Sequence, residues 1–466
     1  MSFLKNSLGN PSRYRKVASD EDIRALLHGT AEESVAFKHQ FPPRFPIAGR
    51  TYFGGLPTVP ADFRWPRAPG GTPFTFMAQV DCSELPDFRL RKFLPDSGVL
   101  HFFVNWDLFN GLLEAQCWPN QVILSRGAAE PWGEAAPPAD LPPCYGAGNA
   151  GYHFPWLRYS LGTYPRTFAK KAVTMGLLRN FTEECPPEVD DAWTSRYQEL
   201  WEHEQTAELA RFYGDPVIAA QLPQPTSESP VRRTAVQRPT ATFPAAWIDI
   251  EIFCGLLIKW LIETGARQLD RGKNAGGIPW PPDAASVRTA YDDATTRSHA
   301  WIGQARSAGL INAVPEADRT AFWSWLEDMN AATVDEISDI RAGQRLNELL
   351  WEAVRASAHI LLSAGEAASS MVPAEMMGEL QMEHSVLVAG RWPRPSGRHQ
   401  MRGAGRDVQG APREALAAGD VLLLQLDSDW SMPWMMGDVG VLQYWISVGD
   451  LRAGRFDRVR VTLEGH

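Results

Sequence analysis

The stretch Asp96-Ser-Gly-Val-Leu-His-Phe-Phe-Val-Asn-Trp-Asp107-Leu108 returns towards the other end of the chain as Asp438-Val-Gly-Val-Leu-Gln-Tyr-Trp-Ile-Ser-Val-Gly-Asp450-Leu451, with Gly449 the one added residue. Each copy follows an apolar run that ends in Gln-x-Asp, Gln79-Val80-Asp81 and Gln425-Leu426-Asp427, so the repeated unit holds two strands. A chain whose two ends carry one β unit twice is expected to pack the copies about an approximate two-fold axis. What lies between them is of another kind, and the fold class that follows is α+β: duplicated antiparallel β units from the chain ends with a helical insertion between them.

With 466 residues, 44% of them hydrophobic, the chain has enough apolar surface for a large core. Its formal net charge of −10 argues against nucleic acid or an anionic membrane as partner, because both require an excess of Lys and Arg. Cys82, Cys117, Cys144, Cys185 and Cys254 are widely spaced with no Cys-x-x-Cys pair, which predicts reduced thiols and no zinc knuckle. The first residues, Met-Ser-Phe-Leu-Lys-Asn, lack the apolar centre of a signal peptide, so a cytoplasmic location is expected. Ile248 to Ile262, the most apolar segment, is broken by Asp249, Glu251 and Lys259 and reads as a buried helix.

Ser19-x-x-Asp22 predicts the start of a short helix through His28. Phe74 to Asp81, Val99 to Trp106 and Val122 to Leu124 read as strands between turns rich in Gly and Pro. Helices are predicted at Trp193–Phe212, Trp247–Leu269, Ala284–Ala308 and Ala321–Met329, and from the Thr333-x-x-Glu336 capping box through Leu362. Val421–Asp427, Val439–Val448 and Val459–Leu463 read as strands again. The division expected is an N-terminal helix and first β unit over 1–180, a helical insertion over 190–371, and a second β unit over 372–466.

Several of these segments, taken together, resemble a known family. Phe53-Gly54-Gly55-Leu56-Pro57, Trp65-Pro66, Phe76-Met77-Ala78-Gln79-Val80-Asp81 and Pro95-x-x-Gly98-x-Leu100-x-Phe102-Phe103 are similar to the N-terminal half of the YwqG-like bacterial domain of unknown function. His399-Gln400-x-x-Gly403, Leu424-Gln425-Leu426-Asp427-Ser428-Asp429 and Gly437-Asp438-x-Gly440-x-Leu442 match its C-terminal half. The resemblance implies a compact α+β protein and no assigned activity. The segment from Asp190 to Met371 is longer than that likeness requires.

Strand alternation puts Leu100, Phe102 and Val104 on one face and His101 and Phe103 on the other, with Leu442, Tyr444 and Ile446 opposed to Gln443 and Trp445 in the second copy. In the preceding strands Phe76, Ala78 and Val80, and Leu422, Leu424 and Leu426, are expected together, opposite Gln79 and Asp81 or Gln425 and Asp427. If the mixed faces meet across the axis, they form a cleft lined by Gln79, Asp81, His101, Gln425 and Asp427 with Phe103 and Trp445 as walls, suited to a polar small molecule or a protein segment. The plainer reading, which carries more weight, is that each Gln-x-Asp ties turns to strand ends through backbone hydrogen bonds. Asp427, Asp429 and Asp438 have the spacing of a loose divalent-cation loop, but Met432 stands where the sharp turn requires Gly and Trp430 and Trp434 crowd it, so no cofactor is expected.

Gly146 to Gly151 fits the letters of a dinucleotide motif yet follows Pro142-Pro143 and runs into Tyr152-His153, without a strand before it or a helix after it. No nucleophile elbow, P-loop or His-Glu-x-x-His pair occurs. Three function classes remain: a binding module for a protein or polar ligand, a hydrolase using Asp427, Asp429 or Asp438 with or without a metal, and a toxin-neutralising (immunity-type) or scaffold protein.

Overall fold

The computed structural model describes residues 19–47, 49–88, 91–106, 118–127, 132–144, 166–181, 185–213, 236–274, 284–332, 342–383, 398–403, 405–429, 431–432, 434–437 and 439–465, with the backbone path alone for 263–274, 284–291, 331–332, 342–344, 378–379 and 381–383. In chain order the elements are α1 (Asp20–Thr30), β1 (Glu32–His39), β2 (Tyr52–Phe53), β3 (Thr58–Val59), β4 (Thr75–Asp81), β5 (Val99–Val104), β6 (Asn120–Ser125), β7 (Gly133–Glu134) and β8 (Lys171–Asn180). Then come α2 (Thr194–Tyr213), α3 (Trp247–Asn274), α4 (Ala284–Ala308), α5 (Glu316–Ala332), α6 (Ala342–Leu361), α7 (Glu366–Ser369) and α8 (Ala374–Glu383). The chain closes with β9 (His399–Met401), α9 (Ala411–Ala417), β10 (Asp420–Asp427), β11 (Val441–Ser447), α10 (Val448–Arg452) and β12 (Arg460–Glu464). The Thr333-x-x-Glu336 box, the Gly146–Gly151 run, Cys117, Trp430 and Asp438 lie outside the described residues.

Ten strands make one antiparallel sheet in the order β12-β11-β10-β9-β1-β8-β2-β4-β5-β6. Read from its centre outwards the order is the same on both sides: β1 answers to β8, β9 to β2, β10 to β4, β11 to β5 and β12 to β6. The registers agree residue by residue. Gln79 pairs with His101 and Tyr52 as Gln425 pairs with Gln443 and Gln400. Ser125 lies opposite Val99 as Glu464 lies opposite Val441. Tyr52 meets Ala172 as Gln400 meets Ala36, which places the local two-fold axis between the cross-strand partners Lys38 and Thr174.

The correspondence extends to irregularities. A bulge falls between Phe76 and Ala78 in β4 and another between Leu422 and Leu424 in β10. Each extra residue flips the side chain before it, which corrects the simple alternation expected for these strands. Phe76 packs with Tyr52, Phe74 and Phe103, and Leu422 with Trp445 and Ala415, while Met77, Ala78 and Val80, like Leu423, Leu424 and Leu426, enter the main core. After β2, Gly54 and Gly55 take φ of 62° and 71°; after β9, Arg402 and Gly403 take 65° and 75°.

The sheet is strongly curled. The rings of Phe102 in β5 and Tyr444 in β11 lie 5.2 Å apart, centroid to centroid, although six strands separate them in the sheet order. Flat, strands so placed would be about 34 Å apart at ~4.8 Å per strand. The edges also meet, since the N–H of Trp118, just before β6, donates to the carbonyl of Val461 in β12 at 3.1 Å. The apolar faces of both halves thus point inwards around one shared core.

Helix α1 begins as expected, with Ser19 accepting from the N–H of Asp22. Helix α2, placed by the sequence in the helical insertion, instead packs on the outside of the sheet, with Leu209 and Tyr213 against Ala36 and Leu178 and with Tyr197 and Leu200 against Ile23 and Leu27. Helices α3, α5 and α6 share a separate core built on Trp247, Phe253, Phe322, Trp323, Trp325 and Leu350. No described helix is long and apolar enough to cross a membrane. Cys82, Cys144, Cys185 and Cys254 are free thiols.

Candidate functional site

Pleating puts every second residue of β1 and β8 on the inner face, so His39 follows Val35 and Phe37 inwards, and Lys171 precedes Val173 and Met175. His399, at the start of β9, lies opposite Phe37, and Asp429 follows β10 by two residues. These four residues gather at one end of the curled sheet and all are buried. Nε2 of His39 donates to Oδ2 of Asp429 at 2.7 Å, and Nε2 of His399 donates to the same oxygen at 2.9 Å. The N–H of Asp427 donates to Nδ1 of His399 at 3.1 Å, which fixes the tautomer of that ring with its proton on Nε2. Oδ1 of Asp429 accepts from the N–H of Ser431 at 2.7 Å. Phe53 and Trp434 stand edge-on to the His399 ring at 5.0 and 5.5 Å, and Phe53 also meets His39 at 5.8 Å.

The pseudo-two-fold axis supplies an internal control. At the equivalent end of the other half, the positions of His39, His399, Asp429 and Lys171 are held by Met175, Thr51, Ser83 and Val35. The shared scaffold therefore does not demand a charged network there.

Nε2 of both histidines and the carboxylate of Asp429 lie within 4.8 Å of one another, a set that could hold a metal ion. Ligation through Nε2 would move the proton of His399 onto Nδ1, where it would point at the N–H of Asp427. Metal-binding histidines need an acceptor at that place, so the arrangement fits a hydrogen-bonded acid–base cluster better than a metal centre.

Charge follows burial. Burial pushes the carboxyl of Asp429 up, but attraction and hydrogen bonds from His39 and His399 outweigh it and hold the group well below the usual range. Burial lowers His39 against the pull of Asp429 and keeps the ring neutral at pH 7. Burial also brings the amine of Lys171 down to about 8, with Asp429 opposing. Asp427 is pushed up to about 6 by burial, against Arg406 at 2.9 Å. Because its folded-state value lies above the unfolded one, near 3.9, Asp427 contributes stability below pH ~4 that is lost as pH rises to ~6. Asp427→Asn is expected to gain about 3 kcal/mol on wild type across that window, read from urea midpoints at each pH.

The cleft expected from the sequence does not form. Gln79, Asp81, His101 and Phe103 lie on the outer face of one half, and Gln425, Asp427 and Trp445 belong to the other, with at least four strands between them in the sheet order. Curling turns the apolar faces together and the mixed faces apart. Each glutamine amide is bound to backbone: Gln79 accepts from the N–H of Thr58 and donates to the carbonyl of Arg50, and Gln425 does the same with Arg406 and Arg398. Asp81 caps the turn at Ser83 and pairs with Arg50 at 2.7 Å, as Asp427 pairs with Arg406. Phe103 is covered by Phe63 and Trp65, His101 lies against Phe63 and Trp132, and Trp445 packs on Ala415. The divalent-cation loop fails similarly, since Asp427 points to Arg406 and Asp429 to two imidazoles, and Asp438 lies outside the described residues.

His39 and Lys171 escaped the sequence reading. Their signals were the alternations Val35-x-Phe37-x-His39 and Lys171-x-Val173-x-Met175, in which one polar residue sits in phase with an apolar face.

A search of curated proteins finds no match. The family model described as a domain of unknown function (DUF1963) matches residues 51–124 and 312–464. The first segment runs from β2 to β6 and the second holds α5 to β12, so His399 and Asp429 lie inside the matched segments and His39 and Lys171 outside them. Over these two segments the chain is similar to the DUF1963 family, in agreement with the YwqG-like motifs at its two ends.

Proposed function

We propose that this protein binds a small polar molecule at the buried cluster of His39, Asp429, His399 and Lys171 and exchanges protons with it. The observation that carries the reading is the asymmetry of the cluster under an axis that otherwise preserves register, bulges and backbone turns. A fully buried carboxylate, two imidazoles and an amine cost desolvation energy, and burial of charge without need is disfavoured. Perturbed titrations concentrated on one such group are the usual mark of a functional site.

The test uses the protein's own alternative. In the variant H39M/H399T/D429S/K171V each residue becomes its pseudo-symmetric counterpart. That variant is expected to fold and to be as stable as wild type or up to ~4 kcal/mol more stable, as when buried ionic networks give way to apolar packing. In a ligand-observed NMR screen of small polar fragments, wild type should bind members that the variant does not. Failure of the variant to fold would mean that the cluster serves stability, and equal fragment binding by both proteins would move the site elsewhere.

A further inference from the structure

Lys171 is buried, whereas Lys38, Lys92, Lys170 and Lys259 are partly or fully exposed, so it differs from every other lysine whose side chain is described. It lies opposite Phe53 on the neighbouring strand and on the same inner face as His39. Its counterpart across the axis is Val35, so packing alone asks for an apolar residue at this position. The loop after β10 adds two buried polar groups, the indole N–H of Trp434 and the hydroxyl of Ser431, that have no hydrogen-bond partner among the described residues. With Lys171 balancing Asp429, the cluster is close to neutral and has no surplus positive charge to select a simple anion. What it offers is a buried amine within electrostatic reach of a carboxylate and of an imidazole, with the rings of Phe53 and Trp434 against the His399 side of the cluster.

We propose, resting on the binding reading above, that Lys171 captures the carbonyl group of a small aldehyde or ketone as a Schiff base. The lone pair of Nζ adds to the carbonyl carbon, forming the C–N bond, while the carbonyl oxygen takes a proton from an imidazole N–H of the cluster. The amine proton lost in that step returns to the imidazole. A proton from the same imidazole passes to the carbinolamine hydroxyl, which leaves as water while the nitrogen lone pair forms the C=N bond, and the N–H proton of the resulting iminium, whose charge the carboxylate of Asp429 compensates, replaces it on the imidazole. One amine and one carbonyl thus give one imine and one water, with no oxidant or reductant required. Trp434 and Ser431 suit oxygen atoms elsewhere on the same molecule. With the amine at about 8, roughly a quarter of Lys171 is neutral at pH 7.5, against about one part in a thousand of an exposed lysine.

The experiment treats the full-length protein with pyruvate or glyoxylate and sodium cyanoborohydride at pH 7.5 and maps reductive alkylation over all eight lysines by peptide mass spectrometry. Modification of Lys171 should exceed that of any other lysine by about tenfold or more, vanish in Lys171→Arg, and slow at least about tenfold in Asp429→Asn. Absence of modification at Lys171, or modification spread evenly over the lysines, would overturn the proposal. If fragments still bind wild type and not the symmetrised variant, only the covalent step falls; if they do not, the binding reading falls with it.

Discussion

Asp429→Ala is expected to lower the unfolding free energy by ~3–5 kcal/mol, the range seen when one member of a buried charged network is removed and its partners stay behind. The two Nε2–H groups that now share Oδ2 would lose their common acceptor, and Lys171 would remain as a buried cation without its counter-charge. Ser431 would lose the acceptor for its N–H as well. Urea denaturation at pH 7 measures the loss, and Asp429→Asn, which keeps an acceptor oxygen, should recover part of it. The contrast with the symmetrised variant is the informative one: removing one partner should cost several kcal/mol where removing all four costs nothing. A mild effect of Asp429→Ala, below ~1 kcal/mol, would mean that the cluster is solvated and not a closed network.

Gly440→Ala should be as damaging for a steric reason. A Cβ at this position would stand 1.9 Å from the carbonyl oxygen of Glu464 and 2.5 Å from that of Met436, and neither backbone can move without opening the β11–β12 ladder. The carbonyl of Gly440 also accepts from the N–H and hydroxyl of Ser428, the residue between Asp427 and Asp429, so the shift would reach the cluster. A loss of ~3 kcal/mol or more is expected, at or beyond the upper end for overpacking. Its counterpart Gly98 would bring a Cβ to 2.8 Å from the carbonyl oxygen of Ser125 and also takes φ of 107°, so Gly98→Ala adds backbone strain to a milder clash and should cost ~2–4 kcal/mol. Thermal unfolding of both variants checks the losses; a loss below ~1 kcal/mol in either would mean that its turn relaxes around the added methyl. The Gly of the repeated Asp-x-Gly-Val-Leu word thus has a cause, since its strand begins beneath a carbonyl of the neighbouring strand.

The repeated strands were legible because two signals coincided in each, apolar alternation and Gln-x-Asp at the end. Helix limits were close where caps or apolar periodicity marked them, as at Ser19 and Ala284. The central strands were not read, because β1 opens with Glu32-Glu33 and β8 contains Gly176, and neither belongs to the repeated unit. Period-two reasoning also has no means of announcing the extra residues Met77 and Leu423, so it placed Phe76 and Leu422 on the wrong face. The site was hidden more deeply. His39, Lys171, His399 and Asp429 come from four separated stretches and meet because β8, β1, β9 and β10 are consecutive neighbours in the sheet, a long-range pairing that no local word announces. His399 was visible as part of a family motif, but its role was not, since His39, which shares Asp429 with it, lies on a strand that had not been identified.

The position of β1 also bears on how the chain is made. Its two neighbours in the sheet are β8 and β9, and His39 and His399 stand 360 positions apart in the sequence. At translation rates of ~5–20 residues per second, the nascent strand waits roughly 20–70 s for its last hydrogen-bonding neighbour to leave the ribosome. During that interval Val35, Ala36 and Phe37 present an unpaired apolar edge, the kind of surface that aggregates. Synthesis of this protein therefore calls for something to shield that edge, a chaperone or transient packing by the first half of the sheet, until the final strands arrive.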